Sequence, residues 1–513
     1  MPPIETIYLI HHSHTDLGFT HDQPIVWELH GRFIDQALNA IEAHAQGEPD
    51  SRFRWTVETT AVLDPWLRQA SPADIDRLLR AERAGLLEVT AMFANITPLY
   101  DLAQMVESLA ILPRLRAEYG LTIHSAMNCD VNGQNWLLVE VLLEAGIQQF
   151  TMAINPGYGG APEPRPNLFH WEGPSGRRLL TYNGWHYAHG LDFGMADDTP
   201  ARFESWWARI EAVLAAAGYP LPSLMLQAIH PFGDNGGPYP AYAEFARRWN
   251  AAGRAPRIVL ATPRQWWAAV APYAAGLPVW RGDWTDYWNF GSGSTARELA
   301  AHRASRARLI HADALYAVGR ALPRQPAPGA AWAEQSFRRY RAPAWQALNL
   351  WGEHTWGADT AVEAPELEDS VSQGVHKQAL AYQARSLSLL LQRDALADLA
   401  QHVARAAPGD LLFFNPLPWP RTVFGHVDSN TLHPRGAPAD TAAGRHHQGH
   451  GAVATGINAG RVPKYMGGNW GFYLPPTPVP AFGYVTVPAS AIQQAPLEPS
   501  GTESVIEAGR FRL

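Results

Sequence analysis

Over residues 1–280 short apolar runs alternate with amphipathic helical stretches, and that alternation leaves few folds open. Ile7-Tyr8-Leu9-Ile10 reads as a buried strand. Pro24 opens a helix with Asp22 or Gln23 as its cap, and Ser71-Pro72-Ala73-Asp74 starts another in capping-box fashion, closed by Gly85. Leu86-Leu87-Glu88-Val89 is the next strand. Asn135-Trp136 begins a helix through Leu143 that ends at Gly146, and residues 150–154 return to a strand. Strand–helix–strand repeats need crossover connections, which make paired strands parallel. The expectation is an α/β fold whose first domain, residues 1–285, is a mainly parallel, incomplete barrel-like sheet with helices around it.

The texture changes twice more. Thr295-Ala-Arg-Glu298 is a capping box leading into a long Ala/Arg/Leu helix, and a Pro/Gly-rich connector from Pro323 to Gly329 separates it from a second helix near 331–350. Val371, Val375, Tyr382 and Leu389 recur at helical spacing. Residues 286–407 are therefore expected to form a helical bundle. From 408 the pattern is β-rich: Leu411-Leu412-Phe413-Phe414 is a strand, Asn415-Pro416-Leu417-Pro418 a turn, and residues 479–488 alternate again. Residues 425–470 read as a long Gly/His/Ala loop, and residues 504–513 as the opening strand of something larger. The last domain, 408–513, is expected to be the start of a β-sandwich, cut short at its C-terminal end.

Composition narrows the function. Hydrophobic residues are 46% and charged residues 17% of the 513, the balance of a globular protein. A net charge of −8 offers no basic field for nucleic acid or an anionic membrane. The lone Cys129 excludes an internal disulfide framework and a cysteine-built zinc site. Met-Pro-Pro-Ile-Glu lacks the basic and apolar regions of a secretory signal, and no apolar stretch reaches membrane length. The expectation is a cytoplasmic protein with no membrane or nucleic-acid partner; a homo-oligomer stays open.

Four segments hold polar residues that packing does not explain. His12, His14 and Asp16 follow the first strand in HHSHTDLGF; alternate side chains of an extended segment point one way, so these three can converge as a divalent-metal corner, or simply form a His-rich turn. In CDVNGQNW, Asp130 ends a strand before a glycine turn into a helix, either as a carboxylate kept ionised by the helix dipole or as a helix cap. In FGDNGGP, Asp234 sits in a glycine-rich loop, catalytic or a plain turn. In WGEHTWG, Glu353-His354 lies at a bundle helix end, where His354 is either a histidine against the dipole or a further metal ligand. Weaker candidates are His446, His447 and His450 in the long loop, Trp185-His186-Tyr187, and Trp284-Thr-Asp286-Tyr287-Trp288, the aromatics having a minority chance of lining a sugar pocket. Gly157-Tyr158-Gly159-Gly160 lacks a phosphate-binding lysine and is no nucleotide site.

In that order, HSHTD, the strand-end Asp130, the GD loop and the bundle histidine resemble glycoside hydrolase family 38, the class II α-mannosidases. FRWTVETT at 53–60, GLLEVTAMF at 85–93, LLFFNPLPW at 411–419 and VPAFGYVTVP at 479–488 resemble further family landmarks, so the likeness runs along nearly the whole chain. The resemblance implies one zinc ion, or cobalt or a similar ion, held by His14, Asp16, Asp130 and His354. It implies Asp130 as nucleophile, Asp234 as general acid/base, and a terminal α-mannoside of an oligosaccharide or glycoside as substrate. Phe19, Glu58, Trp185, Tyr187 and Glu353 are expected to face that substrate. The chain departs from the family at Leu17-Gly18-Phe19 where Pro-Gly-Trp is usual, at Asn132 where an aromatic is usual, and at Glu353-His354-Thr355 where His-His-Asp is usual. Two other readings compete: an amidohydrolase-type metal hydrolase using His12 and His14 as an HxH pair, and a non-catalytic carbohydrate-binding relative.

Overall fold

The computed structural model describes residues 3–157, 165–197, 199–284, 288–323, 328–403, 410–427, 470–491, 493–496, 507–508 and 511–512. Tyr158-Gly159-Gly160, residues 285–287, most of the 425–470 loop with His446, His447 and His450, and most of residues 504–513 lie outside this set. The chain divides into two compact units, residues 1–302 with 345–382, and residues 303–344 with 383–513.

The first unit is built on short strands. These are β1 (Thr6–His11), β2 (Trp55–Val57), β3 (Leu87–Val89), β4 (Ser125–Asp130), β5 (Gln149–Ile154), β6 (Asn167–Glu172), β7 (Arg178–Gly184), β8 (Ser223–Ala228), β9 (Arg257–Ala261) and β10 (Val279–Arg281). β1 runs parallel between β8 and β9, β2 pairs parallel with β3, and the order β10-β6-β7-β5-β4 makes a five-stranded sheet in which only β6 and β7 are antiparallel. Two links bridge the sheets: His12 pairs with Thr56 past the end of β1, and Ala91 N donates to Ser125 O between the ends of β3 and β4. The result is a mainly parallel, barrel-like succession, and no closed barrel forms among the described residues.

Strands covered by helices on one side and core on the other need apolar residues at nearly every position. β1 and β8 satisfy this: Ile7, Leu9, Ile10, Leu224, Met225 and Leu226 are all buried, in one core with Trp266 and Trp267 from the segment after β9. Each such side chain contributes about 1.5–3 kcal/mol by leaving water. Helix α1 (Gln23–Ala43) carries Pro24 in its first turn and Asp22 at its N-cap, and α2 (Pro72–Arg83) is capped by the Ser71 hydroxyl accepting from Asp74 N. The helix expected from Asn135 begins three residues later, as α3 (Leu138–Glu144). The Asn135 side chain accepts from Leu137 N and the Asp283 carboxylate from Trp136 N, which holds residues 135–137 in turns instead.

Three long helices follow: α4 (Ala296–Ala321), α5 (Pro328–Gly352) and α6 (Glu368–Gln401). The expected helical stripe of α6 proves to be its wet side. Val371, Val375 and Tyr382 are exposed, and within the first unit the helix buries Ser370, Gln373, Lys377 and Ala381. Small and hydrogen-bonded side chains let this helix approach closely, so apolar periodicity picks out the wrong face. In the second unit the strands are antiparallel: β11 (Leu411–Asn415) with β14 (Gly483–Val487), and β13 (Trp470–Val479) with both β12 (Arg421–Val427) and β15 (Gln493–Pro496). Among the described residues no helix is long and apolar enough to cross a membrane.

Candidate metal and acid–base site

The parallel strands aim their carboxyl ends at one place, where ligands of open α/β folds gather. His14 and Asp16 follow β1, Glu58 follows β2, Asn95 follows β3, Asp130 ends β4, Asn155 follows β5, Tyr187 follows β7, and Asp234 and Asn235 follow β8. His354 arrives from the far end of the sequence, two residues beyond α5. It is brought in because the segment after β3 grips that helix end: Thr97 Oγ1 donates to Gly352 O, Gln104 Nε2 to Leu348 O, and His354 N to Asn95 O.

His14, Asp130 and His354 offer ligand atoms within 4.8 Å of one another, as do His14, Asp16 and Asp234. His354 Nε2 stands 3.0 Å from Asp16 Oδ1 and 3.5 Å from Asp130 Oδ2, and His14 Nε2 stands 3.6 Å from Asp16 Oδ1. Both Nε2 atoms are buried without a well-formed hydrogen bond. Such orphans are costly unless something else satisfies them. Donors bound at about 2.0–2.2 Å to one tetrahedral ion stand about 3–3.5 Å apart, close to the spacing here. His14, Asp130 and His354 therefore fit one divalent cation, with Asp16 3.0 Å from His354 Nε2 and 3.6 Å from His14 Nε2. The charges agree: burial alone would make both imidazoles neutral, but Tyr187, Asp16 and Glu58 raise His14, and Asp130, Asp16 and Glu353 raise His354, well above the usual histidine range. Burial pushes Asp16 up, and His14 with His354 outweighs it, holding this carboxyl low. Positive charge is wanted at this point, and a cation supplies it without those protons.

Asp130 has a positive φ of 71°, a conformation few aspartates adopt, at a strand end where the backbone must turn sharply. Its Oδ1 accepts from Asn155 Nδ2 at 3.1 Å, and Asn155 N and O bond the Asn132 side chain in turn. With α3 starting eight residues downstream, Asp130 does not cap that helix and lies beyond its first turn. Asp234 lies in a loop pinned by its neighbour: the Asn235 side chain accepts from Asp16 N and His30 Nε2 and donates to Gly18 O. Half-buried and facing the negative charges of Asp16 and Asp130, the Asp234 carboxyl is pushed up to about 6.

Glu58 and Glu353 do not sit where a substrate contact requires. Both side chains are fully buried. Glu58 accepts from Thr15 N at 2.7 Å and Asn95 Nδ2 at 3.2 Å and lies 3.4 Å from His14 Nδ1, so it orients a histidine. Glu353 is occupied by His354, Thr355 and Lys377. Tyr187 is at the site, its ring stacked on His14 at 4.0 Å. Trp185, two residues earlier, lines a different hollow with His189, Phe193 and Trp206. Phe19 is half-exposed with φ 63°, its carbonyl tied by Asp359 N and Gln373 Nε2.

His12 does not join His14. The chain leaves regular strand geometry at His11, so alternation no longer applies, and His12 groups with Glu58 and Cys129 instead. This separates the HxH pair on which an amidohydrolase-type centre depends. His11 is a structural pin: Nε2 accepts from Tyr239 N, so Nδ1 carries the proton and donates to Ala228 O. The sequence reading missed Asn95, Asn155, Asn235 and Lys377. Only Asn235, inside the FGDNGGP loop, stood next to a visible signal.

A family model described as the N-terminal domain of glycosyl hydrolases family 38 matches residues 5–283, more than half of the chain, and the chain belongs to that family. An α-mannosidase from Enterococcus faecalis V583 shares the fold, with a TM-score of 0.55 and 15% identity over 82% of this chain and 46% of its own. A second family 38 protein from Enterococcus faecalis aligns with a TM-score of 0.48 and 14% identity over 83% of this chain and 44% of its own. The chain thus spans about half the length of these structures. No curated protein matches it.

Proposed function

We propose that this protein is a metal-dependent retaining glycosidase that cleaves terminal α-mannosides, with one zinc ion held by His14, Asp16, Asp130 and His354. The observation that carries the reading is the pair of orphaned Nε2 atoms facing the Asp16 and Asp130 carboxylates, beside a half-buried Asp234 that keeps its proton to about pH 6. A bound divalent ion supplies charge stabilisation and a template for adjacent sugar hydroxyls.

The protein's own groups do the rest. Asp130, held by Asn155, attacks the anomeric carbon as the bond to the leaving oxygen breaks, and Asp234 gives that oxygen its proton. Asp234, now a carboxylate, takes a proton from water as the water oxygen bonds the anomeric carbon and Asp130 is released. A raised acid and an ionised nucleophile are the division of labour this chemistry needs. Phe19 supplies a half-exposed aromatic ring, while Tyr187, stacked against both His14 and His186, holds His14 in place. Glu58 and Glu353 position the histidines. We extend the proposal to a cytoplasmic enzyme organised as domains 1–285, 286–407 and 408–513.

A 5-fluoro α-mannosyl fluoride tests the nucleophile. The fluorosugar is expected to accumulate as an ester on Asp130, read by peptide mass spectrometry. A label on another carboxylate overturns the assignment.

A further inference from the structure

Lys377 of α6 is 1% exposed, and the reaction above makes no use of it. Its Nζ donates to Leu350 O, Glu353 O and Glu353 Oε2, each at 3.0 Å. The other oxygen of Glu353 lies 2.8 Å from His354 Nδ1, at an angle short of a well-formed hydrogen bond, and accepts from Thr355 Oγ1 at 2.6 Å. That hydroxyl is in turn 3.2 Å from Asp16 Oδ1. One charged chain therefore runs from Lys377 through Glu353 to His354, while the single Thr355 proton serves either Glu353 or Asp16.

Stability is a poor reason to bury such a pair, since apolar residues of the same volume are usually as good or better. Orientation is a better one. An ionised carboxylate has no proton to share, so the nitrogen beside it must carry one. A proton at His354 Nδ1 leaves Nε2 as the free lone pair, turned toward Asp16 and Asp130. Histidine ligands commonly rest on such a carboxylate. Here the carboxylate is itself anchored by a buried cation that also holds the carbonyls at the end of α5.

We propose that Lys377 and Glu353 are positioning residues that fix the tautomer and aim of His354, so that metal affinity depends on this buried ion pair. The proposal rests on His354 being a ligand. Glu353→Gln keeps the shape and removes the charge. It is expected to weaken zinc binding by about 10–100-fold and to alter the visible spectrum of the cobalt-loaded protein. Lys377→Arg, which keeps the cation, is expected to retain more affinity than Lys377→Met. The double variant Lys377→Met/Glu353→Gln leaves no unpaired charge and is expected to melt near the wild type while still binding zinc weakly. Chelator competition on the full chain reads the affinities.

Glu353→Gln, or the double variant if the single one does not fold, binding zinc as tightly as the wild type with an unchanged cobalt spectrum overturns the relay alone. Wild-type protein that takes up no metal overturns the site reading, and the relay with it.

Discussion

His12 and His14 are two residues apart and both sealed from solvent, yet their environments are opposed. His14 groups with Asp16, Asp130 and Asp234, and Tyr187, Asp16 and Glu58 outweigh burial to push it toward the protonated state. His12 sits behind it with Glu58 and Cys129, and burial pulls it toward the neutral one. Glu58 stands between, 3.4 Å from one imidazole and 3.6 Å from the other. Its charge is already shared with Thr15 N and Asn95. Residue type alone therefore does not separate the two groups; among the described residues the His14 side gathers Asp16, Asp130 and Asp234, the His12 side only Glu58 and Cys129.

The difference can be broken from either side. Asp130→Ala removes the proposed nucleophile and one carboxylate of the front cluster. Turnover is expected to fall by on the order of 10⁴-fold or more, with weaker metal retention, by steady-state kinetics and metal analysis. Retained turnover would mean that the front cluster is not the chemical site. His354→Ala should lower metal stoichiometry while circular dichroism stays native, whereas His12→Asn should cost stability and leave the stoichiometry intact. Equal metal loss from both would erase the distinction between the clusters.

Asp234→Ala is expected to slow natural disaccharides by about 10²–10⁴-fold and aryl mannosides with good leaving groups far less, because the latter need little protonation. Equal losses would contradict the acid role. The same group sets a pH limb. As the proposed acid it acts in its protonated form, so kcat/KM should decline as pH rises through about 6, a decline absent in Asp234→Ala. The smallest effect belongs to the rear cluster. Cys129→Ala should cost about 1–2 kcal/mol in a denaturant melt with turnover unchanged.

What the sequence made readable follows the same contrast. Strands such as β1 and β8 are apolar at nearly every core position, so their runs and the residues just after them could be read, and with them the candidates His14, Asp16 and Asp234; Asp130 ends the more polar β4 and was marked by the glycine turn after it. His354 was recognisable only by its odd company between tryptophans and glycines. The supporting asparagines Asn95, Asn155 and Asn235 were invisible because a loop asparagine looks the same whether it turns a chain or holds a carboxylate. Lys377 was hidden for a different reason. It lies on a helix whose buried face is small and polar, while Val371 and Val375 point to solvent and mimic a core stripe. The expected convergence of His12 with His14 failed because regular strand geometry ends at His11.

The most direct measurement is hydrolysis of 4-nitrophenyl α-D-mannoside, beside its gluco and galacto analogues, by chelator-treated and then zinc-restored protein. The account predicts turnover of the manno substrate alone, lost on chelation and recovered with zinc in proportion to one bound ion. Full activity in chelator-treated protein shown to be metal-free would contradict it.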